Sequence, residues 1–194
     1  LDQAMRLARE AVPVGEIWLE AGTPLIKSEG LNAVRALRTE FPNATIVADM
    51  KIMDAGRVEV EMAAIAGANI VAVLGAASDA TIEECVAAGA RYGARIMVDL
   101  AEVADPVERA VKAQELGAGI IGVHCPIDVQ MRGGDPFETL AAVSAAVSIP
   151  VAVAGGINSE TAPKAIAAGA GIVIVGGAIN KAPDAAQATR GILQ

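Results

Sequence analysis

The feature that most constrains this chain is a repeat. A short β-branched run ending in a polar residue or glycine is followed by an alanine-rich segment with helical spacing, again and again through 194 residues. Asp49, Leu74, Asp99 and His124 close four successive runs about 25 residues apart. Such alternation belongs to parallel strands buried on both faces and joined by crossover helices. The expected strands are Ile17 to Glu20, Thr45 to Asp49, Ile70 to Leu74, Arg95 to Asp99, Ile120 to His124, Val151 to Ala154 and Ile172 to Val175. Helices are expected near 2–11, 29–40, 57–66, 80–91, 105–116, 136–147, 159–168 and 183–192.

Uniform linkers, none long enough to reverse the strand order, favour a single-domain (β/α)8 barrel, a TIM barrel, over residues 1–194. A doubly wound open sheet is the competing architecture. Seven strand runs stand against eight helices, because Leu1 to Glu10 reads as a helix with Asp2 as its N-cap and no strand before it. A barrel short of one stave would leave two unpaired ladder edges beside an apolar lumen. The expectation is therefore that a first strand precedes residue 1, in keeping with a sequence that does not begin with Met.

Composition excludes several functions. Fifteen Lys and Arg against 23 Asp and Glu give a net charge of −8, and one Trp, one Tyr and two Phe leave few rings to stack on bases, so nucleic acid is not an expected partner. The longest uncharged stretch, Thr139 to Ser159, is broken by Pro150, Gly155 and Gly156 and reads as a helix tail plus a buried strand, not a membrane span. The charged first ten residues do not resemble a signal peptide. Two cysteines, Cys85 and Cys125, are too few for a disulfide scaffold and suggest reduced thiols in a cytoplasmic protein.

In a barrel of this kind, chemistry sits at the C-terminal rim of the strands, where Glu20, Asp49, Lys51, Asp99 and His124 close or follow apolar runs. Asp49 and Lys51 are two apart, so an extended backbone points both to the same side. With neighbouring strands about 4.8 Å apart, Glu20 and Asp49 can offer oxygens to one divalent cation of the Mg2+ type. The plainer alternative is an ion-pair network around Lys51, or helix capping. Asp54 precedes a helix and could simply cap it. His124, the only histidine, is either a satisfied structural side chain or a group suited to moving a proton near neutrality. Gly155-Gly156 and Gly176-Gly177 follow the last two runs, where barrels that handle phosphorylated substrates bind phosphate, although paired glycines are also common wherever a strand turns tightly.

Asp49-Met50-Lys51-Ile52-Met53-Asp54 resembles the Asp-x-Lys-x-x-Asp motif of the orotidine 5′-phosphate decarboxylase superfamily. Glu20 to Gly30 and Val73-Leu74-Gly75 are similar to the 3-hexulose-6-phosphate synthases, the archaeal ones in particular, and the similarity runs from Leu1 to the Gly176 to Ile179 segment. The resemblance implies a dimeric (β/α)8 barrel whose first strand, carrying an active-site Asp, stands just before Leu1. It implies an aldehyde-lyase that joins formaldehyde to D-ribulose 5-phosphate with Mg2+ (or Mn2+), or runs the reverse cleavage. Glu20 and Asp49 would be the metal-side carboxylates and Lys51 the motif lysine. Asp54 would reach into the partner's site, making the active site shared across a homodimer. His124 would be the base, and Gly155, Gly156, Gly176 and Gly177 the phosphate loops.

Four positions depart from the pattern. Cys125-Pro126 stand where the synthases commonly read Thr-Gly. Ile127 occupies the place of an Arg in the related 3-keto-L-gulonate 6-phosphate decarboxylases, which speaks against that alternative activity. Gly177 replaces the phosphate-clamping Arg of the orotidylate decarboxylases, which disfavours a nucleotide. A non-catalytic phosphosugar-binding module is the remaining alternative; it would need the glycines but not the carboxylates.

Overall fold

Seven parallel strands pair in the order of the sequence, each with the next: β1 (Leu19–Ala21), β2 (Ile46–Ile52), β3 (Ile70–Leu74), β4 (Arg95–Asp99), β5 (Ile120–His124), β6 (Val151–Ala154) and β7 (Ile172–Ile174). A computed structural model describes all of residues 1–194. The strand order never reverses, which rules out the doubly wound sheet and leaves the curled (β/α) barrel arrangement. The helices are α1 (Asp2–Ala11), α2 (Thr23–Glu29), α3 (Asn32–Glu40), α4 (Gly56–Ala66), α5 (Asp79–Tyr92), α6 (Pro106–Glu115), α7 (Ile127–Gln130), α8 (Phe137–Ala146), α9 (Ala162–Ala167), α10 (Gly177–Asn180) and α11 (Ala185–Leu193). None is long and apolar enough to cross a membrane.

The period of two along each strand sorts the apolar residues into two cores. Ile46, Ala48, Val71, Val73, Val98, Ile121 and Val153 join the cluster of 38 buried residues between sheet and helices. Val47, Ile70, Ala72, Met97, Ile120 and Ala152 form a separate cluster of six on the inner face. That phase decides where the polar strand-end residues go. Asp49 and Asp99 lie two residues beyond Val47 and Met97, and Glu20 lies between Leu19 and Ala21 of the outer core, so all three carboxylates fall on the inner face.

Strong local signals held their elements. Ser78, Asp105 and Asp184 accept from the backbone N–H groups of Thr81, Glu108 and Gln187, capping α5, α6 and α11. Asp2 does not cap: it is the first residue of α1, and Leu1 stands at the N-cap without a side-chain bond. The helix expected over 29–40 begins only at Asn32, as α3, and is preceded by α2 over Thr23–Glu29, which the spacing does not predict; Gly30, at φ +63, separates the two. β1 begins at Leu19, where pairing with Ile46 starts, so Ile17 and Trp18 lie outside it. β2 runs on to Ile52, three residues past the expected end, through a register shift against β3 between Ala48 and Ile52. The short helices α7 and α10 carry too few residues to show a period in the sequence.

β1 and β7 pair with one neighbour each and form the two edges of the sheet. A cavity of about 840 Å³ reaches the inner face between them, lined by Trp18 and Leu19 of one side, Ile172 and Val173 of the other, and apolar residues of α1 and α11.

Candidate active site

The C-terminal ends of the strands enclose a pocket of about 550 Å³. Glu20, Asp49, Lys51, Asp99 and His124 line it together with Gly155, Gly156, Gly176 and Gly177. Of the residues singled out in the sequence, Asp54 alone is not among its lining. It is exposed beyond the end of β2, and its Oδ1 accepts only from the adjacent Ala55 N–H. Ala55, not Asp54, stands at the N-cap of α4.

Asp99 is the hub. It is 4% exposed; its Oδ1 accepts from the Ala101 N–H at 2.9 Å, and its Oδ2 receives Lys51 Nζ at 2.7 Å and lies 3.1 Å from His124 Nδ1. Burial opposes its ionisation, but the hydrogen bond from His124 and the charge of Lys51 outweigh it and hold the carboxyl down at about 2. An ionised carboxylate only accepts, so Nδ1 of His124 carries the hydrogen of this bond, and Nε2 is left as the nitrogen with no protein partner.

Lys51 also binds both oxygens of Asp49, at 3.0 and 3.1 Å. Burial disfavours its ammonium, yet Asp99 and Asp49 together raise its pKa above the usual lysine value. The backbone bends to allow this. Lys51 has φ +48, left-handed, inside the register shift of β2, so its approach to Asp49 is owed to an irregularity and not to plain strand alternation. The Thr23 hydroxyl, at the start of α2, lies 2.7 Å from Asp49 Oδ2 and 2.8 Å from the Asp49 carbonyl, and donates to either.

Glu20 has no ion-pair or hydrogen-bond partner. It is exposed at the rim and lines both the pocket and the cavity between the sheet edges. Desolvation of its carboxyl by the surrounding protein first, and the charge of Asp49 second, push it up to about 7. No three acidic, histidine or cysteine side chains converge as a ready-made metal cage. What the pocket offers instead is two hard carboxylates, one of them unpaired and raised by its neighbour's charge, a donor set that fits a divalent cation keeping its remaining positions for water and substrate oxygens.

The glycine pairs divide by cause. Gly155 (φ +111) and Gly156 (φ +71) need backbone that side chains avoid, and a Cβ on Gly155 would stand 2.6 Å from the Cys125 carbonyl. A Cβ on Gly176 or Gly177 would meet nothing within 4 Å. Their bareness answers no packing demand and leaves open space in the pocket wall.

Sequence reasoning named Asp99 as a rim residue but gave it no role, since the pattern shows its inner-face phase and not its two partners. Thr23 and Lys181, which also reach this region, carried no signal.

Residues 1–192 match the family described as Orotidine 5′-phosphate decarboxylase / HUMPS family. A 3-hexulose-6-phosphate synthase of Methylomonas aminofaciens is 42% identical over 188 residues, covering 96% of this chain and 90% of that protein. A crystal structure of 3-hexulose-6-phosphate synthase superposes with a TM-score of 0.93 at 37% identity, over 98% of this chain and 92% of the other. The 3-keto-L-gulonate-6-phosphate decarboxylase of Vibrio cholerae is more distant, 25% identical with a TM-score of 0.84 over 99% of this chain and 90% of the other. On these grounds the chain belongs to the orotidine 5′-phosphate decarboxylase / HUMPS family.

Proposed function

We propose that this protein is an aldehyde-lyase interconverting D-ribulose 5-phosphate plus formaldehyde with D-arabino-hex-3-ulose 6-phosphate. One observation carries the reading: a buried Asp99 that fixes both a lysine and a histidine, in a pocket shared with two further carboxylates and a bare glycine wall. A pocket for phosphosugar binding alone has no use for that acid cluster. The similarity to synthases over nearly the whole chain points the same way.

His124 takes the proton from C1 of ribulose 5-phosphate at Nε2, and the electron pair moves onto the C2 oxygen to give an enediolate. C1 then attacks formaldehyde, forming the new carbon–carbon bond, and the proton returns to the former aldehyde oxygen. Lys51, held by Asp49 and Asp99, presents a fixed positive charge to the developing oxyanion. Glu20 and Asp49 would hold a divalent cation, Mg2+ or Mn2+, which when bound supplies Lewis-acid polarisation of the ketone. Gly155, Gly156, Gly176 and Gly177 make room for the phosphate.

The working unit in this reading is a homodimer. Val58, Met62 and Ile65 recur along one face of α4 and are exposed, Ile65 by 69%, and the exposed Met53 stands beside Asp54. A second copy laid on this apolar face would cover it and carry Asp54 to the partner's pocket. The free thiols Cys85 and Cys125 suit a cytoplasmic setting. The deciding assay is formaldehyde release from hexulose 6-phosphate, with and without EDTA: metal-dependent release supports the lyase, while carbon dioxide release from a sugar-acid phosphate, or no turnover, refutes it.

A further inference from the structure

The substrate assigned above brings a phosphate dianion into a pocket already crowded with carboxylates, so the positive charge that receives it must be found. Three lining side chains can carry one: Lys51, His124 and Lys181. Lys51 is committed to Asp49 and Asp99 at 3.1 Å or less, and His124 to Asp99. Lys181 has no carboxylate within ion-pair distance. Asp184, three residues on, is occupied by the N–H of Gln187 at the start of α11.

Position supports the same residue. Lys181 follows α10, and its backbone N–H bonds the Gly177 carbonyl at 3.1 Å, which sets it one turn past Gly177 on the same side of the chain. Gly177 and Gly176 present no side chain and nothing packs over them. The flexible lysine stem therefore has open space to cross along the wall where β6 and β7 end, whose Gly155, Gly156, Gly176 and Gly177 line the same pocket.

We propose that Lys181 is the phosphate-neutralising cation of this pocket, binding the substrate's phosphate while Lys51 and His124 serve the reacting carbons; this rests on the phosphosugar reading above. It divides the pocket into a reacting end and a binding end, each with its own lysine.

The test measures steady-state kinetics with ribulose 5-phosphate and formaldehyde, and calorimetric binding of ribulose 5-phosphate and inorganic phosphate, for the wild type, Lys181→Met and Lys181→Arg. Loss of a charge-assisted contact made equally in ground and transition states is expected to raise KM about tenfold while kcat moves much less, and to weaken inorganic phosphate by a similar factor. Lys181→Arg should recover most of both. An active wild type with Lys181→Met unchanged in KM and phosphate binding overturns the role of Lys181 and leaves the lyase standing. A wild type that neither binds nor turns over ribulose 5-phosphate overturns the lyase reading, and this proposal with it.

Discussion

Nδ1 of His124 lies 3.1 Å from Oδ2 of Asp99, a carboxylate that stays ionised far below neutrality and so keeps the imidazole hydrogen on the side away from the substrate. An amide in its place accepts through one atom and donates through the other, so the ring loses its fixed tautomer. Asp99→Asn is expected to lower kcat by about 10² to 10⁴ and to slow exchange of the C1 proton with solvent deuterium in parallel. Exchange at the wild-type rate in a folded Asp99→Asn protein would remove His124 from the base role.

The same carboxyl sets an acid limit on stability. Its pKa is lowered on folding, from 3.8 to about 2, so its contribution is present above pH 3.8 and is lost as pH falls toward 2. Thermal melts from pH 7 down to pH 2 should show wild type above Asp99→Asn near neutrality, with the gap narrowing through that window. A gap constant with pH would contradict the pairing with Lys51 and His124.

Glu20 offers the counterpart at the metal end. Removing its charge in Glu20→Gln, or treating the wild type with EDTA, is expected to cost on the order of 10² or more in kcat/KM, and excess Mg2+ or Mn2+ should restore the EDTA-treated wild type far better than the variant. Full activity of Glu20→Gln in EDTA would exclude it as a metal ligand.

The two glycine pairs should separate stability from binding. Gly155→Ala forces a Cβ against the Cys125 carbonyl at a strained φ and should destabilise by about 1–3 kcal/mol in a denaturant titration. Gly177→Leu meets nothing in the fold, so its unfolding midpoint should hold while KM for ribulose 5-phosphate rises. A midpoint that falls as far as that of Gly155→Ala would show that Gly177 is kept for packing.

If Asp54 serves the neighbouring pocket, Lys51→Ala and Asp54→Ala proteins, each nearly inactive, should regain about a quarter of wild-type activity on subunit exchange, since each heterodimer keeps one intact site. Met62→Glu should shift the protein to monomer in sedimentation. Mixtures that stay inactive despite confirmed exchange would place Asp54 outside the shared site.

The order of elements was readable because β-branched runs and alanine-rich helices repeat at a nearly constant length, and because Ser78, Asp105 and Asp184 act within one turn of the chain. The helix α2 escaped the pattern, since its seven residues, Thr23 to Glu29, end at the left-handed Gly30 before a helical period can establish itself. Glu20, Asp49 and His124 could be placed on the rim from strand phase alone. Asp99 could be placed there too, but not given its work, and Lys181 not at all: the partners of Asp99 arrive from β2 and β5, and Lys181 reaches the pocket from a helix of one turn.

What the sequence determined by itself is the alternation of strand and helix, and with it the face on which Glu20, Asp49, Asp99 and His124 fall, since both follow from local backbone geometry. Only the tertiary structure decided the rest: that β2 slips its register so Lys51 can turn back to Asp49, that Asp99 holds a lysine and a histidine at once, and that one lysine is left over. Those outcomes depend on distances between residues as many as 48 positions apart, which packing sets and no local pattern encodes.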